Sequence, residues 1–162
     1  MTDVDLVVDF LNTVNHDVHT DVLDDPDTWR VWLAARELTE GTADARAVRT
    51  ALRAAAGDPV MPTGSSTASV AVTVELPVGG APRLVAKDVV GAVLAAASRL
   101  AVLDHWERVK ICPADDCRWA FYDRSRNHSR TWCSMQVCGN REKARAWRGR
   151  RSEDELRDRV DQ

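Results

Sequence analysis

The sequence has no basic leader, no membrane-length apolar run, and no cysteine in its first 111 residues. Its most apolar stretch, Val89 to Ala97, is far shorter than the ~20 residues that cross a bilayer, so no membrane partner is expected. The first residues, Met1-Thr2-Asp3-Val4-Asp5, carry acids where an export leader carries bases, which points to a cytoplasmic location. Aromatics other than tryptophan are scarce: one Tyr and two Phe stand beside six Trp. Phosphate loops, dinucleotide fingerprints, nucleophile elbows and paired catalytic carboxylates are all missing, so the chain does not read as an enzyme. His16, Asp17 and His19 form a compact polar cluster that reads as solvated surface, and His105 and His128 are isolated.

What is present suits a folded chain. At 162 residues, 44% hydrophobic and 29% charged, it can bury a core as one domain with a small appendage. The net charge of −3 conceals a division along the chain. Residues 1–107 hold 8 basic and 16 acidic side chains (−8), residues 108–151 hold 12 and 4 (+8), and residues 152–162 hold 2 and 5 (−3). Segment charge governs the local field, so a basic surface kept apart from an acidic body is expected.

Hydrophobic periodicity sets the organisation. Leu6 to Val14 reads as a short half-buried helix, followed by a polar loop at Asn15–Asp21. Asp27 is placed to cap a helix carrying Trp29, Trp32 and Leu33 that Gly41 would end. Asp44 to Ala56 reads as an amphipathic helix burying Ala47, Val48, Ala51, Leu52 and Ala55. Residues 58–69 form a Pro/Gly/Ser/Thr loop. Val70, Val72, Val74 and Leu76 alternate as a strand, and Arg83–Ala86 returns beside it after the turn at Pro77–Gly80. Asp88 caps a central apolar helix through Leu103. Asn12, inside an apolar run, reads as a buried amide tying backbone together. The expected fold is α+β: a mainly helical N-terminal domain with a β-hairpin at residues 1–105, a small zinc-binding knuckle, hairpin and helix module at 106–151, and an acidic tail at 152–162.

The cysteines carry the sharpest signal. Cys112, Cys117, Cys133 and Cys138 make two symmetric pairs, each with four intervening residues, separated by fifteen. Four thiolates satisfy the tetrahedral preference of Zn²⁺ and leave no open position, which makes the expected ion structural, one per chain. Two disulfides are the alternative, which a reducing cytosol disfavours. Trp119, Phe121 and Asp123 alternate with Ala120, Tyr122 and Arg124 as a strand; Arg126–Ser129 would turn it and Thr131-Trp132 would return. Glu142 to Arg151 reads as a helix with Arg141, Arg145 and Arg148 on one face, and with Ala144 and Trp147 packed on the hairpin. Trp119, Trp132 and Trp147 read as a miniature core in preference to base-stacking platforms. Lys143, Arg150, Arg151, Arg124, Arg126 and Arg130 extend an arginine-dominated patch, with Arg118 beside it, suited to phosphate and guanine.

Cys112 to Arg151 resembles the CGNR-type zinc finger, named for the tetrapeptide found here at Cys138-Gly139-Asn140-Arg141. The Asp-Arg-Ser-Arg-Asn run at 123–127 and Trp-Cys-Ser-Met at 132–135 belong to that likeness. Where the family usually has Arg-Arg-Trp-Cys, this chain has Arg130-Thr131-Trp132-Cys133, one base fewer. Asp9-Phe10-Leu11-Asn12-Thr13 and the Trp29–Leu33 motif resemble the ABATE domain that precedes such fingers in stress-induced bacterial transcription regulators. The resemblance implies a zinc-dependent regulator whose finger binds DNA, Asn140 included among its contacts. Its N-terminal domain would sense a small-molecule signal or form a homodimer. The alternative is a protein-interaction scaffold with a structural zinc and no nucleic-acid target.

Overall fold

A computed structural model describes residues 1–60 and 67–160, with only the backbone described from Ser152 onward. Part of the expected 58–69 loop and the tail's side chains therefore lie outside the described residues. The order is α1 (Asp3–Leu11), β1 (Val14–Asn15), β2 (Thr20–Asp21), α2 (Pro26–Ala34), α3 (Ala45–Ala55), β3 (Thr73–Glu75), β4 (Arg83–Val85), α4 (Val89–Val102), β5 (Val109–Ile111), β6 (Ala120–Tyr122) and α5 (Asn140–Val160). Three antiparallel pairs, β1–β2, β3–β4 and β5–β6, are separate two-stranded sheets.

Side-chain caps start the helices. Thr2 and Asp5 form a reciprocal capping box on α1, Asp44 caps α3, and Asp88 caps α4 through the Gly91 N–H at 2.8 Å. The cap of α2 is Asp25, not the expected Asp27, because Pro26 occupies the first helical position and fixes the backbone there. Nor does Gly41 end α2. Glu37 enters the left-handed region at φ 56°, and the Leu38 N–H reaches back to the Leu33 carbonyl at 3.1 Å, closing off the nine-residue helix. Gly41 serves a close approach instead: a Cβ there would lie 2.9 Å from Asp88.

α1 and α4 form the centre. Val7, Phe10 and Leu11 meet Val89, Val90, Val93 and Ala96, with Trp29 and Leu33 of α2 and Val48 of α3 closing the sides. Trp29 and Trp32 stack at 5.1 Å, and Arg36 lies over Trp32 at 3.9 Å while pairing with Asp9. The same core takes in Val109, Ile111 and Ala120 of β5–β6.

Two expectations about local structure change. The Asn15–Asp21 loop is the tip of the β1–β2 hairpin, whose strands are too short for period-two alternation to register. In α3 the buried strip is turned by one residue: Val48, Arg49 and Arg53 are buried. Arg49 pairs with Asp21 and donates to Thr13, while Arg53 pairs with Asp58 and donates to the Leu11 carbonyl. Burial opposes the charge on Asp21, but the Arg49 hydrogen bond and the Leu23 N–H outweigh it and bring the carboxyl down to about 2.

Candidate metal centre and nucleic-acid interface

The first cysteine pair sits at the tip of a hairpin. β5 runs into Cys112, the Pro113–Asp116 loop turns, and Cys117 leads back toward β6. The expected return strand at Thr131-Trp132 is therefore not the partner of β6. Val109-Lys110-Ile111 is, in the register Val109↔Tyr122 and Ile111↔Ala120. Each sulfur of this pair accepts backbone N–H groups: Cys112 from Ala114 and Cys133, and Cys117 from Trp119. Arg118 adopts φ 49° to let the chain double back.

Of the second pair, Cys133 precedes and Cys138 lies within a π-helical turn, Met135–Gly139, which is capped by Ser134 and runs directly into α5. The Gly139 position is crowded, since a Cβ there would lie 2.5 Å from the Met135 sulfur and 3.2 Å from the Trp132 ring. Cys138 is buried at that junction.

All four sulfurs lie within 4.8 Å of one another, with Cys117–Cys133 at 3.5 Å and Cys133–Cys138 at 3.6 Å. A tetrahedron with 2.3 Å arms has edges of about 3.8 Å. A disulfide would need about 2.05 Å, and all four cysteines are free. Burial pushes the Cys117 thiol up to about 11 and Cys133 higher still, so a bound cation is what would favour their thiolate forms here. The residues fit one structural Zn²⁺, held by Cys112, Cys117, Cys133 and Cys138. Among the described residues no other group of three or more His, Cys, Asp or Glu side chains converges. His16 is half-buried with Nδ1 3.4 Å from Arg118, a correction to its expected solvation, while Asp17 and His19 are exposed.

Two carboxylates with no role legible in the sequence fix the finger's shape. Asp123 is fully buried and accepts from Lys110 Nζ at 2.7 Å and from the Ser125 and Arg130 N–H groups at 2.9 Å. Burial works against its charge, yet these donors hold it well below the ordinary carboxylate range. Lys110 also binds the His128 and Arg130 carbonyls, so one ammonium gathers the 123–130 loop. Asp116, on the first knuckle, pairs with Arg141 and Arg145 of α5, each at 2.9 Å.

These contacts divide the basic residues. Arg141 and Arg145 face the knuckle through Asp116, and Arg145 also meets Glu142. Arg130 donates to the Trp132 and Cys133 carbonyls and covers the Phe121 ring. Arg118 leaves the patch altogether: it enters the body, where its guanidinium meets Asp58 and its carbonyl accepts from Arg53. Asn140 donates to the Gln136 carbonyl at 3.1 Å and is exposed.

Arg124 is exposed beside the Tyr122 ring; Arg126, Lys143 and Arg150 are exposed without an ion-pair partner among the described residues. Arg148 and Arg151 are exposed too, Arg151 over the Trp147 ring at 5.0 Å. From Lys143 to Arg151 every residue of α5 is exposed, although Arg145 reaches back to Asp116. Trp147 and Ala144 therefore do not pack on the hairpin as expected; Trp147 is 54% exposed. Trp132 does pack against the cage, and Trp119 lies at its edge, 38% exposed.

Asn12 ties backbone together as expected, from a half-buried position. Its side chain donates to the Ala120 carbonyl at 2.9 Å and accepts from the Ala120 N–H at 2.8 Å, completing the outer edge of β6 from α1's end.

No curated protein matches the chain. Two family models do: the CGNR zinc finger over residues 108–151, and ABATE, described as "Putative stress-induced transcription regulator", over residues 4–121. Both are non-catalytic regulatory domains, and they overlap on the β5–β6 hairpin. No helix among the described residues is long and apolar enough to cross a membrane. The chain belongs to the ABATE family and carries a CGNR zinc finger, which makes it a zinc-binding regulatory protein.

Proposed function

We propose that the chain is a transcription regulator whose finger binds duplex DNA. In this reading residues 1–105 are the regulatory body, residues 106–151 the DNA-binding finger and residues 152–162 an acidic tail. One observation carries it: α5 leaves the cysteine cage as an exposed helix bearing Lys143, Arg148, Arg150 and Arg151 around Trp147. A helix that projects from its support is what a major groove accepts, and guanidinium groups match both phosphate and guanine.

The residues take two roles. Arg141 and Arg145 hold Asp116 and so set the angle at which α5 leaves the knuckle, while Arg130 braces the second knuckle. Asn140, Lys143, Arg148, Arg150 and Arg151 meet DNA from the helix, and Arg124 and Arg126 meet its backbone from the loop that Lys110 and Asp123 shape. Zn²⁺ supplies the crosslink that keeps loop and helix in one frame. A single finger buries modest surface, so tight specific binding needs a second copy. The body supplies that copy or a response to a signal.

The test is binding of the zinc-loaded full chain to random-sequence duplex at low and moderate salt. Affinity falls steeply with salt, and the pair Lys143→Glu and Arg150→Glu weakens binding by at least about tenfold with zinc content unchanged. Salt-independent affinity, or full binding by that variant, overturns the reading.

A further inference from the structure

Arg141 touches the cage as well as the knuckle. It lies three residues beyond Cys138, where the π-helical turn has run into α5, and helical positions three apart share a face. Its Nη2 donates to the Cys138 sulfur at 3.6 Å, and the same nitrogen stands 2.9 Å from Asp116 Oδ1. Its Nε is buried without a hydrogen-bond partner among the described residues. An orphaned buried N–H costs free energy, so this head is committed to the sulfur and the carboxylate and not to solvent. Cys138 is 2% exposed, which leaves its sulfur little water to accept from. The first knuckle is served differently: Cys112 and Cys117 accept from backbone N–H groups. Arg145, one turn further along α5, reaches Asp116 and Glu142 and meets no sulfur among the described residues.

We propose that Arg141 is a positioning residue of the metal centre, whose N–H···S bond orients the Cys138 thiolate, offsets its charge and so tightens Zn²⁺. Four thiolates around one Zn²⁺ leave two negative charges in the cage. A guanidinium against one sulfur makes a charge-assisted hydrogen bond there, roughly twice as strong as a neutral one. Partners of this kind orient metal ligands, and their loss costs about 10–100-fold in metal affinity. Asp116 holds the guanidinium from the first knuckle, so Asp116, Arg141 and Cys138 join the two halves of the cage by a path outside the metal. The inference rests on the zinc centre and requires no DNA binding.

Chelator competition for Zn²⁺ on the full chain is the test, with Co²⁺ as a coloured stand-in, in Arg141→Met and Arg145→Met. Both variants remove a cation from Asp116, and only the first removes a donor from sulfur. Arg141→Met weakens Zn²⁺ binding by about 10–100-fold. Arg145→Met stays within about fivefold of the wild type, the most that an exposed ion pair is worth. The sulfur-to-cobalt charge-transfer band moves to lower energy in Arg141→Met alone, because a thiolate that loses a hydrogen bond gives up its electrons more readily. A finger that is merely loosened would bind weakly with the band in place. An unmoved band, or equal changes in both variants, overturns the proposal. The wild type gives a second reading that does not depend on either variant loading. With an NMR-active Cd²⁺ in the cage, the Arg141 guanidinium protons show scalar coupling to the metal through the Cys138 sulfur, and absence of that coupling overturns the proposal equally.

Discussion

The body and the finger solve the same problem with different materials. In the body, Val7, Phe10, Leu11, Val89, Val90 and Val93 are fully or almost fully removed from solvent and make a conventional apolar core. The finger's own cluster is Cys112, Ala114, Phe121 and Cys138, with one large hydrophobic side chain among them. Burial at about 25 cal/mol per Å² suffices for the first and not for the second. The finger's order comes from sulfur–metal bonds and from charges set inside polar loops, Asp123 on Lys110 and Asp116 on two arginines.

Removing the metal is the strongest way to break that comparison. Structural zinc contributes on the order of 10–16 kcal/mol of apparent binding energy, so a strong chelator should collapse residues 112–140 while α1 and α4 persist. Amide exchange reads this directly, with the Cys117, Arg118 and Gly139 amides losing protection and the Phe10 and Val93 amides keeping it. Equal loss in both regions would mean that the two are one cooperative unit.

Next in size is Asp58→Ala. Asp58 is buried and pairs with both Arg53 and Arg118, so its removal strands two guanidiniums and should cost about 3–5 kcal/mol in denaturant unfolding. Removing Glu75, whose pair with Arg83 is exposed, should cost under about 0.5 kcal/mol.

Acid sharpens the body's side. The Asp21 carboxyl lies at about 2 against an ordinary 3.8, so its contribution is full above pH 4 and is lost as pH falls through 2. The expected loss is about 2 kcal/mol, read as a falling melting temperature that Asp21→Asn largely removes from the pH profile.

Smaller than the acid effect is Asn12→Ala, which removes both hydrogen bonds to Ala120 and should cost about 1–2 kcal/mol. The loss should be seen both in global unfolding and in faster exchange at Ala120, because the amide belongs to both regions.

Much of the finger was legible because metal chemistry is written in spacing. Four cysteines in two symmetric pairs admit few geometries, and they do converge. The hairpin differs from the expectation for a physical reason: Arg126–Ser129 has turn composition, which points to a return strand after it. The zinc knuckle is itself the turn, and the Val109-Lys110-Ile111 alternation just before Cys112 is the signal that marks the true partner. In the body, α4 and its Asp88 cap followed from periodicity. The buried strip of α3 is turned by one position because its alanines count as apolar while burying little, whereas Arg49 and Arg53, four apart on one face, find carboxylates at Asp21, distant in sequence, and at Asp58, just past the helix end. Long-range ion pairs leave no local trace. The same limit hid the Arg141–Asp116–Arg145 clamp, which turns part of an apparent ligand-binding face inward.

Asn12 docks on the backbone of Ala120, and Arg53 reaches the carbonyl of Arg118, the residue that follows a zinc ligand. The finger is thus not a bead that can be cut out and threaded onto another scaffold. A graft begun at residue 106 would leave behind the amide and the guanidinium that hold its second strand, and a transplant that works must carry α1 and the loop at Asp58 along with the cysteines.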